Sequence, residues 1–159
     1  MNRYFLILAL LIISFSVQAQ FNAVKKNMEQ KPMQDRYVAY LNDLGYSPEI
    51  DKDGDIKFQY NDRSYYITID IKDKQFFRIA RLANLRLSEP SSISKVEKIC
   101  HQVTRDAKVT KVYWSNGQIW ASSEQLVAKP EDFEAIFERT LKLTELAYLK
   151  FSTAWKAEQ

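Results

Sequence analysis

The adjacent residues Cys100 and His101 are the first candidates for chemistry, because a thiol and an imidazole can act together as nucleophile and base. Neighbouring residues on a helix point about 100° apart, so these two side chains would not face each other there. Cys100 shares an apolar helical stripe with Val96 and Val103, where a thiol behaves as a small hydrophobic group. We therefore predict a buried structural cysteine and a solvent-exposed histidine.

The acidic segment Asp51–Asp55 has the composition of a calcium-binding loop. The helix-loop-helix calcium motif requires glycine at loop position 6 and glutamate at position 12. Here Gly54 occupies position 4 and Asp62 occupies position 12, and strand-forming residues follow where further ligands would be needed. We predict a tight polar turn that leads into a strand, and no metal site.

Other motifs typical of enzymes are lacking in the sequence. There is one histidine for a serine triad, no Gly-x-Ser-x-Gly segment, and only three glycines from which to build a phosphate-binding loop. Asp70 and Asp73 could form an acid–base pair, but the neighbouring sequence predicts no desolvated pocket for them. We expect no catalytic residue and no cofactor, and a function in binding.

Large aromatic side chains recur at strand positions that should face away from the helices. The solvated face of an antiparallel sheet is normally polar, whereas rings and a guanidinium are expected here, and these residue types anchor protein interfaces. The candidate binding residues are Tyr66, Phe76, Arg78, Tyr113 and Trp120. The alternative is that these rings pack against one another across the strands or beneath the N-terminal leader.

Three amphipathic segments predict helices. The first runs from about Met33 to Leu44, and Ser91 or Ser92 caps the second. Pro130 begins the third, which continues to about Phe151.

Part of the third helix carries apolar residues away from its buried stripe. These residues are Leu143, Leu146, Leu149 and Trp155. Either the last turns of this helix are buried from two sides, or they meet a second copy of the chain or another partner.

Alternation of apolar and polar residues predicts five strands. Three follow the first helix in short succession, within residues 56–82, and two more flank Asn116-Gly117, the strongest short hairpin signal. The predicted fold class is α+β: an antiparallel sheet with helices mainly on one face, in the order α-β-β-β-α-β-β-α.

The N-terminus has the order of a secretory signal peptide: a basic start at Arg3, an apolar run from Phe5 to Phe15, and small residues at Val17 and Ala19. The apolar run is shorter than the about 20 residues of a spanning helix. We predict a signal peptide at 1–19, a flexible leader at 20–31 and a single domain at 32–159. The protein is then expected to be exported, periplasmic or extracellular, with no membrane span after cleavage.

The charge of the chain argues against nucleic acid as a partner. There are 23 basic and 20 acidic residues, a net charge of +3 with mixed signs, whereas nucleic-acid binding rests on clustered cations. The single cysteine permits no internal disulfide, so the fold must depend on its apolar core.

Six short segments of the chain together form a recognisable pattern: residues 37–41, 45–48, 53–58, 63–67, 69–70 and 76–79. This pattern of apolar and turn residues, within about Pro32 to Phe151, resembles the YbjN-like family, whose fold is similar to that of type III secretion chaperones. The resemblance implies a protein-binding, chaperone-like or regulatory module without a known active site, so no catalytic residue carries over. Secretion chaperones act in the cytoplasm, whereas this chain has a predicted export signal.

These features predict an exported, non-enzymatic protein-interaction module that binds a protein partner or itself. One alternative is a small-ligand-binding protein with a cavity between the sheet and the helices. Another is an enzyme of unrecognised type, which a buried acid–base pair in a cleft would favour.

Overall fold

A computed structural model describes Asn22, Lys25 and residues 28–158 of the chain. The predicted signal peptide, residues 1–19, lies outside the described residues. The helices are α1 (described over residues 28–43), α2 (Pro90–Asp106) and α3 (Phe133–Ala157), with a short 3-10 turn at Pro130–Asp132 before α3. The strands are β1 (Glu49–Ile50), β2 (Ile56–Tyr60), β3 (Arg63–Ile67), β4 (Phe76–Asn84), β5 (Thr110–Ser115) and β6 (Gln118–Leu126).

The strands form one antiparallel sheet in the spatial order β1-β2-β3-β4-β6-β5. Strands β4 and β6 pair along their full nine-residue length and so join the two predicted groups of strands. The three described helices pack on the same face of this sheet. The predicted α+β class is confirmed, with one added strand, β1, whose two residues are too few to show alternation.

Helix α1 begins before the predicted Met33. Residues 28–32 are already helical, and Gln30, at 3% exposed, is buried against the turn between β1 and β2. The Nε2 of Gln34 donates a hydrogen bond to the carbonyl oxygen of Gly54 in the same turn, at 2.9 Å. The last residues of the predicted leader are therefore helical, held by amide side chains that apolar periodicity does not reveal.

Two hairpins use the same two-residue turn. Asn116 and Gly117 join β5 to β6 with φ of 50° and 74°, and Asn61 and Asp62 join β2 to β3 with φ of 49° and 59°. Positive φ at both central residues is the type I′ geometry, whose twist matches that of the flanking strands. The predicted Asn-Gly hairpin is confirmed, and the Asn61-Asp62 turn has the same geometry.

Replacement of Gly117 by valine is expected to lower the free energy of unfolding by about 2 kcal/mol, because a β-branched residue is strained at positive φ. A Cβ at Gly117 would lie 3.5 Å from Cγ of Arg86, an ordinary contact, so the cost comes from the backbone and not from a clash. Urea unfolding measures the change, with Asn116→Gly as a control that keeps the turn. Equal stability of Gly117→Val and the parent would show that the turn is not type I′ in solution.

Side chains between the sheet and the helices form two apolar clusters. The first lies beneath α1 and the N-terminal half of α3, and its buried rings are Tyr37, Phe58, Tyr65, Phe77, Phe133 and Phe137. The second lies between α2, the C-terminal half of α3 and strands β5 and β6, and its buried members are Val96, Cys100, Val103, Val112, Ile119, Ala121, Ala147 and Phe151.

Both later helices extend beyond their predicted ends. Helix α2 begins at Pro90 with Glu89 at its N-cap, so the predicted caps Ser91 and Ser92 lie inside its first turn; the fixed φ of proline suits the first helical position. Helix α3 continues to Ala157 because Trp155 still packs against the second cluster. Among the described residues, no helix is long and apolar enough to cross a membrane.

Candidate functional site

The face of the sheet opposite the helices, here called the outer face, carries a stacked aromatic pair. Tyr113 of β5 lies directly opposite Trp120 of β6, and their rings are nearly parallel, with an interplanar angle of 8° and centroids 5.9 Å apart. Both side chains are half-buried. The register then places Leu82 of β4 opposite Trp120 on its other side. Leu82, Trp120 and Tyr113 thus form an apolar row across three strands.

The centre of the outer face is polar. Arg78 donates a hydrogen bond from Nε to Oγ1 of Thr68 at 2.8 Å, and Lys111 forms an ion pair with Glu124. The Oγ of Ser122 donates to Oε1 of the same glutamate at 3.2 Å. These hydrogen-bonded charges lie to one side of the aromatic row, which occupies one end of the outer face.

The five predicted binding residues all lie on the outer face, but the register does not bring them together. Phe76 lies opposite the exposed Leu126, six residues along β4 from Leu82 and therefore roughly 20 Å away. Tyr66 lies opposite Ala80, between the two ends. The predicted surface is divided into an aromatic end, a polar centre and a second apolar end.

A side chain of α2 occupies backbone groups at the β5 edge of the sheet. Oγ1 of Thr104 donates a hydrogen bond to the carbonyl oxygen of Val112 at 3.0 Å and accepts one from its N–H at 2.8 Å. A partner strand would need these backbone groups to extend the sheet. A partner strand therefore cannot pair with β5 at Val112 unless Thr104 is displaced.

A buried charged cluster, which was not predicted from the sequence, lies on the helix side of the sheet. Glu145 of α3, 8% exposed, accepts a hydrogen bond from Nη1 of Arg63 at 2.6 Å, and its other oxygen lies 3.7 Å from Nη1 of Arg81, which is 7% exposed. The guanidinium of Arg81 lies 3.3 Å from the ring centroid of Tyr148. Among the described residues, the hydroxyl of Tyr65, Nη1 of Arg81 and Oε2 of Glu145 are buried without a hydrogen-bond partner.

The sequence does place one charged residue at an inward position of β4 and another on the buried side of α3. Arg81 continues the inward positions of Phe77 and Ile79 on β4, and Glu145 follows Leu141 by four residues on the buried side of α3. A charge at each of two inward positions requires a partner of opposite sign, because an unpaired buried charge is costly. Neither pattern alone shows that the two charges meet.

The geometry of this cluster favours a structural role over acid–base catalysis. Burial lowers the pKa of Arg81 to about 10, so its guanidinium stays charged at neutral pH. The surrounding apolar clusters leave Glu145 enclosed between α3 and the sheet. The alternative of a small-ligand-binding protein requires a cavity between the sheet and the helices. Much of that space holds the side chains of the two apolar clusters, and a groove of about 260 Å³ lies between Gln125 of β6 and Thr140 of α3.

The other chemical candidates have structural explanations. Cys100 is buried, and burial raises the pKa of its thiol to about 12, while His101 is exposed. Oδ1 of Asp51 accepts hydrogen bonds from the N–H groups of Asp53 and Asp55, so the acidic segment closes the turn between β1 and β2. Within the part of the chain that the structure describes, no group of three His, Cys, Asp or Glu side chains is placed to hold a metal ion.

Comparison with known proteins identifies the fold. No family model and no curated protein sequence matches the chain. The structure of YbjN from E. coli, described as a proposed transcription regulator, matches with a TM-score of 0.57 and 15% identity over 75% of this chain and 90% of that one. An uncharacterized protein from Methanothermobacter thermautotrophicus matches with a TM-score of 0.59 and 12% identity over 79% and 98% of the two chains. The predicted resemblance to YbjN-like proteins is confirmed at the level of the fold.

Proposed function

We propose that this chain is an exported protein-interaction module, chaperone-like or regulatory, that binds a partner protein through the outer face of its sheet. The observation that carries the proposal is the stacked pair of Tyr113 and Trp120, which continues to Leu82 on a face that the described helices leave uncovered. The polar centre formed around Arg78 and Glu124 supplies hydrogen-bonding groups beside this row.

A stacked pair is well suited to binding because its side chains are already ordered. Association normally costs free energy when flexible side chains become immobile, and aromatic side chains present a large contact area with few rotatable bonds. Stacking of Trp120 on Tyr113 also fixes the ring planes before a partner arrives. Tyrosine, tryptophan and arginine are the residue types that contribute most at interface centres.

The fold comparison supports a regulatory form of this function. YbjN is described as a proposed transcription regulator. For this chain we propose regulation through contact with a partner protein. The small net charge of +3 with mixed signs supports a protein partner rather than direct contact with nucleic acid.

Export is the part of the proposal that depends on the first 19 residues. We expect cleavage after Ala19, so the secreted product should begin at Gln20. Intact mass of the protein recovered from the periplasm or the medium measures this start. A product that keeps residues 1–19 and remains with the membrane would contradict export as a cleaved protein.

Capture of a partner tests the binding function. Immobilised protein that begins at Gln20 is expected to retain a partner from cell-envelope extract, and the same protein with Trp120→Ala is expected to lose it. Met28→Ala is a control, because Met28 is 72% exposed on α1, away from the outer face. A partner retained equally by all three proteins would show that the outer face is not its binding site.

A further inference from the structure

The outward side of α3 carries leucines that no described element covers. Leu146 and Leu149 are 49% and 38% exposed, and Leu143 is half-buried between them and the body of the domain. Of the four apolar residues that lay off the predicted stripe, only Trp155 packs against the core. The helix is therefore held by its buried side while three leucines remain on its outer side.

Two grooves run along this leucine stripe. One, of about 540 Å³, lies towards Tyr40 of α1, and the other, of about 280 Å³, lies towards Ala107 at the end of α2. Leu143 and Leu146 line both grooves, so they form the ridge between them. A ridge flanked by grooves is the surface against which a second helix packs.

The two grooves are lined by both signs of charge, with cations in excess. The cations are Lys108, Arg139, Lys142 and Lys150, and the carboxylates are Asp106, Glu134 and Glu138. Lys108, Arg139 and Lys150 line the grooves around Leu143, are exposed, and have no carboxylate within ion-pairing distance among the described residues. Lys142 is paired with Glu138 at 3.4 Å. Asp106 is paired with Arg105 at 3.2 Å. In the described part of the chain, three cations and one carboxylate of the grooves, Glu134, are then without an ion pair, and this excess of positive charge favours an acidic partner.

Val109 lies at the edge of the same surface, and its backbone is strained. Its φ is 53°, which is unusual for a β-branched residue, and its side chain is 49% exposed at the margin that it shares with Leu143 and Lys108. The strained backbone places an apolar side chain beside the ridge instead of inside the core.

We propose that this leucine ridge is a second docking surface, which binds an acidic amphipathic helix of a partner protein. Leucines of that helix pack into the two grooves, and its carboxylates pair with Lys108, Arg139 and Lys150. Charge complementarity selects this occupant. In a pair of copies joined through this ridge, the same cations would face one another and repel, which disfavours self-association.

This surface is separate from the outer face of the sheet. The sheet lies between the two surfaces, since α3 covers the helix side and the aromatic row lies on the other. The domain can therefore hold two protein segments at once, one on each side. Binding at the ridge does not depend on Trp120, so the two proposals succeed or fail separately.

A synthetic peptide of about 18 residues tests the ridge, since that length suffices to form a helix. The peptide carries leucines on one face and glutamates beside them, and its affinity for the protein beginning at Gln20 is measured by fluorescence anisotropy. A matched peptide with lysine in place of glutamate is expected to bind at least tenfold more weakly. Raising the salt from about 0.05 M to about 0.5 M should weaken binding of the acidic peptide, because it screens the exposed charges.

Variants of the protein locate the contact. Leu146→Ala is expected to weaken peptide binding roughly tenfold, as for an interface anchor. Leu149→Ala is the matched control, because Leu149 is a similarly exposed leucine that lines neither groove. Combined reversal, Arg139→Glu with Lys150→Glu, should make the protein prefer the lysine peptide. Trp120→Ala should leave peptide binding unchanged.

Val109→Asn separates binding from folding. Asparagine tolerates positive φ better than valine, so this variant should melt at or above the temperature of the parent while binding the peptide several-fold more weakly. Equal binding of both peptides, or binding unaffected by both Leu146→Ala and Val109→Asn, would overturn the proposal.

Two other results would reassign the ridge. Concentration-dependent dimerisation that Leu146→Ala abolishes would assign it to a second copy of the chain. Leu146-dependent binding to vesicles of phosphatidylcholine and phosphatidylglycerol, without peptide binding, would assign it to a lipid surface. Either result excludes an acidic helix as the occupant.

Discussion

Replacement of Glu145 by alanine is expected to lower the free energy of unfolding by about 3–5 kcal/mol, the usual loss when one partner of a buried ion pair is removed. Arg81 is 7% exposed, and Oε2 of Glu145 lies 3.7 Å from its Nη1. The variant would leave this charge buried against Tyr148 without a counterion. Such a loss is a large fraction of the roughly 5–15 kcal/mol that stabilises a typical domain.

Urea unfolding followed by circular dichroism measures this change, with Glu138→Ala as the matched control. Glu138 lies on the same helix and pairs with Lys142 in solvent, where an ion pair contributes about 0.5 kcal/mol or less. The double variant Arg81→Met with Glu145→Leu should recover most of the lost stability, because it removes both buried charges together. If Glu145→Ala is no less stable than Glu138→Ala, Arg81 and Glu145 do not form a buried pair in solution.

Replacement of Trp120 by alanine is expected to weaken partner binding by about 2 kcal/mol or more, a decrease of roughly 30-fold in affinity, as for aromatic residues at interface centres. The variant removes the ring that stacks on Tyr113 and that the register places opposite Leu82. Phe58→Ala is expected to act on folding instead. Phe58 is 1% exposed in the first core cluster, and loss of a buried phenylalanine costs about 3–5 kcal/mol.

The comparison requires both stability and binding for each variant. Trp120→Ala should unfold at clearly higher urea concentration than Phe58→Ala, and its binding should be measured by calorimetry with the captured partner at a temperature where it is fully folded. A Trp120→Ala protein that is as unstable as Phe58→Ala, yet binds normally when folded, would place the ring in the core. The outer face would then lose its role as a binding site.

Local patterns were reliable wherever a residue's neighbours along the chain decide its structure. Alternation of apolar and polar residues places Phe58, Ile67 and Ile79 on the face opposite the candidate binding residues, and all three are buried. The period of two along a strand allows only one face to reach the helices. The Asn116-Gly117 turn was also predictable, because few residue pairs accept positive φ at both positions.

Helix ends were predicted less well. Apolar periodicity placed the start of α1 at Met33, yet Gln30 and Gln34 extend the buried side of the helix by contacts with the turn at Gly54. Gln34 and Gly54, for example, lie 20 positions apart in the sequence. A pattern within one helix contains no information about such a partner.

The sequence alone determined the class of the fold, the inward face of each longer strand, the type of the Asn-Gly turn and the burial of Cys100. Each of these depends on side-chain period, turn stereochemistry or the amphipathic stripe of one helix. Only the tertiary structure decided which strands are neighbours. The pairing of β4 with β6 places Leu82 beside the stacked rings, and it places Phe76 at the far end of the sheet from Trp120. It also joined Arg63 to Glu145 across 82 positions of the chain. Register and long-range charge pairing depend on which elements meet in space, and a buried charge is tolerated only where that meeting supplies its partner.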